Sequence, residues 1–174
     1  MMNLIVTCAR NLEGETEEEL TDILDELGDS DVKISVSNMS GIITVQTKLD
    51  PIQVVEKMKE KLLDEPWSIR YCLRVIPIQK TVETKIEEIE KEVSSMSNQI
   101  RNEESYRILI EKRNSNISSK ELITKIANQI KNKVSLDYPD KIILIEILGT
   151  ITGISIIKKS DILSLEKTKR DMSD

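Results

Sequence analysis

The order of apolar and polar positions divides the first 79 residues into short segments of alternating period. Residues 3–9 are a short apolar run. Residues 16–27 then set Leu20, Ile23, Leu24 and Leu27 on one helical stripe, with Thr16 and Glu19 at capping-box spacing and Gly28 at the end. Val32, Ile34 and Val36 alternate as a half-buried strand, residues 37–41 turn, and residues 42–47 return as a second strand. Asp50 is placed to cap a second helix with Pro51 at its first position; Ile52, Val55, Met58 and Leu62 form its buried stripe, and Pro66 stops it. Residues 69–76 read as the last strand. The order β-α-β-β-α-β predicts a ferredoxin-like domain over residues 1–79, with two helices on one face of a four-stranded antiparallel sheet. That topology brings the end of the first strand beside the start of the fourth and makes neighbours of Cys8 and Cys72.

Beyond Pro77 the grammar changes. Val82, Ile86, Ile89, Val93 and Met96 recur at steps of four and three between Glu and Lys, which predicts a connector helix over residues 81–99 docked on its own protein. A strand over 105–111, a polar turn over 113–117 and a helix over 119–132 follow. Ser118 and Glu121 stand at capping-box spacing there, and Leu122, Ile123, Ile126, Ala127 and Ile130 form the buried stripe. Residues 142–148 are nearly continuous Ile and Leu, as in a strand covered on both faces, and a turn near Gly149 leads to a last strand over 151–157. The whole predicts an α+β chain: the ferredoxin-like domain, a small α/β domain over residues 80–166, and a flexible tail over 167–174 without apolar period.

Composition narrows the chemistry more than the fold. The 174 residues contain no His, two Cys and five Gly, at 14, 28, 41, 149 and 153. Without imidazole there is no Ser-His or Cys-His pair, and two thiols cannot complete a four-cysteine zinc site. The glycines form neither G-x-G-x-x-G nor a G-x-x-x-x-G-K loop. The expectation is therefore no catalytic residue, no metal and no cofactor. Aromatic residues are only 2% of the chain, so Ile, Leu and Val must build the core. Leu4–Val6 is too short a run for a signal peptide, and the Ile142–Ile157 stretch, interrupted by Glu146, is too short to span a bilayer, which predicts a soluble cytoplasmic protein with reduced core thiols.

Charge separates the two halves. Residues 1–66 carry 6 basic and 15 acidic side chains, a net of −9, whereas residues 101–134 carry 8 basic against 4 acidic. Arg107, Lys112, Arg113, Asn114 and Asn116 surround a strand end and turn, Lys120 opens the following helix, and Lys158 and Lys159 end the last strand. Cations and amides gathered near a helix start are what phosphate binding needs. These eight residues are the candidate phosphate-binding set. A lysine-bearing helix face is equally the ordinary solvated surface of a globular protein.

The run I-L-I-E-K-R-N-S-N from Ile108, S-S-K-E-L-I-T-K-I-A from Ser118, V-S-L-D-Y-P-D-K-I-I-L-I-E-I from Val134 and G-I-S-I-I from Gly153 resembles the THUMP domain over about residues 81–164. Within that family the chain is most similar to stand-alone tRNA-binding adaptors of the RNA cytidine acetyltransferase that forms N4-acetylcytidine. The resemblance implies binding to the tRNA acceptor stem and its 3′ end. It also implies an RNA acetyltransferase as partner on another chain, since no methyltransferase, thiouridine synthetase or deaminase motif is present. The acidic helix over residues 13–29 would be repelled by RNA. It is expected to face away from it or to meet a basic partner.

Single features admit other readings. Glu146 in an apolar strand reads as a solvent-edge or Arg-paired structural carboxylate rather than a catalytic one, and helix capping accounts for Ser118 beside Lys120. Trp67, Tyr71, Tyr106 and Tyr138 are dispersed and read as core or rim, with base stacking open to Tyr106 or Tyr138. The competing function is a non-catalytic protein-interaction or small-ligand regulatory module built on the ferredoxin-like half.

Overall fold

The computed structural model describes residues 1–173, arranged as two sheets and five helices in two compact units. One unit holds residues 1–78 and the segment returning from Ser160; the other holds residues 79–159.

In the first unit, β1 (Leu4–Thr7), α1 (Glu13–Glu26), β2 (Lys33–Val36), β3 (Ile42–Gln46), α2 (Pro51–Asp64) and β4 (Arg74–Pro77) follow one another. The sheet is antiparallel throughout. Its order is β2-β3-β1-β4-β9, where β9 (Leu163–Ser164) joins β4 through Arg74 opposite Ser164 and Val75 opposite Leu163. Leu20, Leu24, Val55, Met58 and Leu62 pack from the helices onto Leu4, Val6, Ile43, Val45 and Val75. Asp50 caps α2 as its sequence implies, its carboxylate accepting from the Ile52 amide at 2.9 Å with Pro51 at the first position. Cys8 and Cys72 are buried free thiols in this core. Burial raises the pKa of both, most strongly at Cys72, where Glu19 adds to the effect.

Three local expectations change here. Helix α1 begins four residues earlier than the T-x-x-E spacing suggests: Leu12 takes the cap position, and Thr16 lies inside the helix, donating its hydroxyl to the Leu12 carbonyl at 2.6 Å. Glu19 is consequently free to turn outward from α1. Its carboxylate accepts the backbone amides of Arg70, Tyr71 and Cys72 at 2.8, 3.0 and 3.0 Å. Those amides are thereby drawn away from any sheet ladder, which is why the expected strand over 69–76 contracts to Arg74–Pro77 although Ile69 and Cys72 remain buried. The tail expected to be flexible from Lys167 forms helix α5 (Leu165–Ser173), anchored by buried Leu165, whose amide donates to the Leu73 carbonyl. Asp174, the last residue of that expectation, lies outside the described residues.

At Gly41 the turn requires glycine: its φ is +75°, and a Cβ there would meet the Cys8 carbonyl oxygen at 2.7 Å.

The second unit opens with a strand that the sequence reading absorbed into a helix. Lys80–Glu83 is β5, paired antiparallel with Ile151–Ile157 (β8), and the helix α3 runs only Ile86–Met96. Then come β6 (Tyr106–Arg113), α4 (Ser119–Ala127) and β7 (Lys141–Leu148). The order is β5-β8-β7-β6, with β6 and β7 parallel and the other pairs antiparallel. A β-α-β crossover through α4 connects the parallel pair, as parallel strands require. Leu122 and Ile126 of α4 and Ile89, Val93 and Met96 of α3 share a core with Tyr106, Ile143, Ile145, Ile147, Ile154 and Ile156. The chain leaves this unit after Lys159, earlier than the expected boundary at 166. The departure is sealed in the first unit by β9, whose two residues are too few to show a period.

Candidate nucleic-acid interface

Strand β6 pairs with β7 without interruption from Tyr106 to Arg113, so no bulge disturbs its pleat. Tyr106, Ile108 and Ile110 face the helices with Lys112 continuing their side, while Arg107, Leu109, Glu111 and Arg113 alternate onto the opposite face.

The end of β6 turns sharply at Asn114, whose φ of +56° is a left-handed conformation that asparagine tolerates better than most side chains. Ser115 Oγ accepts the Ile117 amide at 3.2 Å, and Lys112 reaches over the turn to donate from Nζ to the Ile117 carbonyl at 2.9 Å. Ser118 then caps α4, its Oγ accepting the Glu121 amide at 3.2 Å. Beyond that cap, the amides of Ser119 and Lys120 have no acceptor among the described residues. Two open donors, the positive end of a nine-residue helix, and exposed Lys112, Asn114, Asn116 and Lys120 therefore lie on one short stretch. Glu121, also in the first turn, is 3.8 Å from Lys125 one turn further on.

Arg113 belongs to this end of the strand but is turned to another task. Its Nη1 donates to Glu146 Oε2 at 3.0 Å; the Glu146 side chain is fully buried and that of Arg113 is 27% exposed. Glu146 is thus the Arg-paired structural carboxylate of the sequence reading, and Arg113 balances a charge inside the fold.

The remaining three candidates lie at the other end of the sheet. Arg107 stands opposite Ile142, and Ile142 opposite Ile157, so Lys158 and Lys159 follow β8 at the end where β6 begins. Five residues of strand separate Arg107 from Lys112, about 16 Å. The eight candidates therefore form two groups, Lys112, Arg113, Asn114, Asn116 and Lys120 at one end, Arg107, Lys158 and Lys159 at the other. Around Arg107 the loop from Lys131 to Asp140 is pinned to the start of β6. The Tyr106 amide donates to the Lys133 carbonyl, Ser135 donates to Tyr106, and Arg107 Nη1 donates to the Leu136 carbonyl at 3.2 Å. Exposed Lys131 and Lys133 and Tyr138, 89% exposed, project from it. Tyr106 is buried and has no face for a base, whereas Tyr138 does. The sequence marks Tyr138 as a stacking candidate, but the tie of its loop to β6 is visible only in the fold.

Among the described residues no group of His, Cys, Asp or Glu is arranged to hold a metal ion, and no helix is long and apolar enough to cross a membrane.

The second unit is thus a small α/β platform built on a parallel β-α-β unit with open amides at its helix start. The family comparison gives it a name: residues 83–157 match the THUMP domain, so the chain contains a THUMP domain. No curated protein matches the chain. Among solved structures it is similar to PH1313 from Pyrococcus horikoshii Ot3 (TM-score 0.66, 19% identity, 91% of this chain and 55% of that one). It is also similar to TrmN from Thermus thermophilus (0.61, 14%, 90% and 45%). A third is a 4-thiouridine synthetase in complex with RNA and bound ATP (0.56, 13%, 91% and 42%). The chain spans about half the length of these structures, and at such identities the likeness is one of fold.

Proposed function

We propose that this chain is a non-catalytic tRNA-binding adaptor that presents tRNA to a separate RNA-modifying enzyme. The proposed partner is the cytidine acetyltransferase that makes N4-acetylcytidine, in the cytoplasm. The first unit, with its β-α-β-β-α-β order, is read as the ferredoxin-like companion of the THUMP domain. The observation that carries the reading is the start of α4: unoccupied amides of Ser119 and Lys120, flanked by Lys112, Asn114, Asn116 and Lys120 within a THUMP domain. Such a site takes a backbone phosphate without regard to base identity, which suits the acceptor stem and the 3′ end. Arg107, Lys158 and Lys159 would engage phosphates further along the same RNA.

Affinity should fall with salt as counterions are released, and modestly, because the second unit carries only a small positive net charge. Two experiments test the reading. Gel shift should find binding to tRNA. Purified chain, acetyltransferase, acetyl-CoA and ATP together should acetylate tRNA, while the chain without the enzyme should not. Binding without any stimulation of the acetyltransferase, but with stimulation of a methyltransferase, would move the adaptor to a different enzyme.

A further inference from the structure

The helical side of the first unit carries a groove of about 470 Å³ between α1 and the loop that leads into β4. Exposed Glu15, Glu18, Asp22 and Glu65 line it, and Trp67 and Tyr71 form its aromatic rim. Trp67 is 71% exposed, unusual for the largest apolar side chain, and among the described residues no cation is stacked on it. Tyr71 already receives one guanidinium, that of Arg70, 5.6 Å from its ring centroid. Lys61, which also lines the groove, is engaged with Glu26 at 3.0 Å and leaves the other carboxylates unbalanced. Ser68 supplies a separate observation. It lines the groove, and its Oγ is buried without a hydrogen-bond partner among the described residues, an arrangement that costs free energy until a donor or acceptor arrives.

From these features we infer that the groove is a docking site for a basic segment of a partner protein, with one Arg or Lys side chain laid on Trp67 and its neighbours paired with Glu15, Glu18, Asp22 and Glu65. The sign of the groove selects the occupant. RNA and anionic lipid are repelled by these carboxylates, and a neutral apolar peptide would leave them desolvated and unpaired. A cationic segment satisfies both the carboxylates and the open ring. Glu19, at the base, is held by three amides and keeps the loop in place without offering itself to the partner. The inference extends the adaptor reading by giving it a protein-facing side, but its test does not involve RNA modification.

Trp67 is the sole tryptophan of the chain, so its emission reports on this groove alone. The probe is a synthetic 16-residue peptide of alternating Arg, Leu and Lys, with a Glu-for-Lys and Glu-for-Arg version as control. The basic peptide should shift Trp67 emission to the blue saturably, and the acidic one should not. By fluorescence anisotropy, Glu18→Lys with Asp22→Lys, and separately Trp67→Ala, should each weaken binding about 10-fold or more. Glu87→Lys with Glu88→Lys, a matched charge reversal on exposed positions of α3, should leave it unchanged. Unaltered Trp67 emission with the basic peptide, or equal losses from the two charge reversals, would overturn the inference. So would a Trp67 shift produced by tRNA instead. None of these outcomes bears on whether tRNA binds the second unit.

Discussion

Helix α1 starts without a side-chain cap and fills its own positive end with Glu13 and Glu15, whereas α4 starts behind Ser118 with Lys120 beside two open amides. The Glu13 carboxylate accepts the Gly41 amide at 3.0 Å, which holds its pKa below the usual range, so that end of α1 is already satisfied by an internal anion. The contrast extends to the units that carry them: the first, counted with its returning segment, has 11 basic and 19 acidic side chains, the second 14 and 12. Net charge for the whole chain, −6, conceals this division. In the proposed reading an external anion takes the start of α4, where two amides stay open although Glu121 stands in the same turn, and the acidic unit is left to meet cations.

The largest test of this contrast concerns Arg113, whose guanidinium is paired with buried Glu146. Arg113→Ala removes the guanidinium paired with a buried carboxylate and should cost about 3 kcal/mol of stability in urea unfolding, while Arg113→Leu with Glu146→Leu should recover most of that loss. A defect in RNA binding with stability intact would return Arg113 to the surface. In the acidic unit, Glu19→Ala releases three amides at once and should cost about 1–3 kcal/mol by the same measurement. Ser118→Ala removes the α4 cap for about 1 kcal/mol, and Asp50→Ala should match it at α2, because capping is local and indifferent to the charge of its unit.

Acid should act gently and on the first unit. Asp29 is buried and accepts from the Thr47 hydroxyl and the amides of Lys48 and Asp31, which lower its pKa, the Thr47 bond contributing most. A carboxyl depressed in the folded state contributes stability above its unfolded value, about 3.9, and loses it as pH falls through the folded value. Denaturation at pH 7 and pH 3 should therefore show a loss that Asp29→Asn diminishes; an equal loss in the variant would contradict the assignment.

What could be read from the sequence followed the range of its interactions. The Asp50-Pro51 and Ser118 caps act over three residues and are where their spacing puts them, and the Ile and Leu runs of β7 and β8 are strands within a residue of expectation. Thr16 and Glu19 matched the same capping pattern, yet T-x-x-E also occurs inside a helix, and only the distant amides of residues 70–72 decide what Glu19 does. Strands β5 and β9 exist because β8 and β4 offer them edges; Val82 alone looks like the first residue of a helical stripe. The candidate site was legible as a list of cations and illegible as a geometry. Period-two alternation puts Arg107 and Arg113 on one face of any unbulged strand, but the pairing register that carries Lys158 and Lys159 to the far end, and the burial of Glu146 beside Arg113, are properties of the assembled sheet.

The central claim is that RNA is held at the start of α4. Its most direct test is tRNA affinity, by gel shift at two salt concentrations, of Lys112→Ala with Lys120→Ala against Lys57→Ala with Lys61→Ala in the acidic unit. The first pair should weaken binding by about 10-fold or more and flatten its dependence on salt, and the second should leave both unchanged. Equal defects from the two pairs, or none from the first in a protein that remains folded, would contradict the claim.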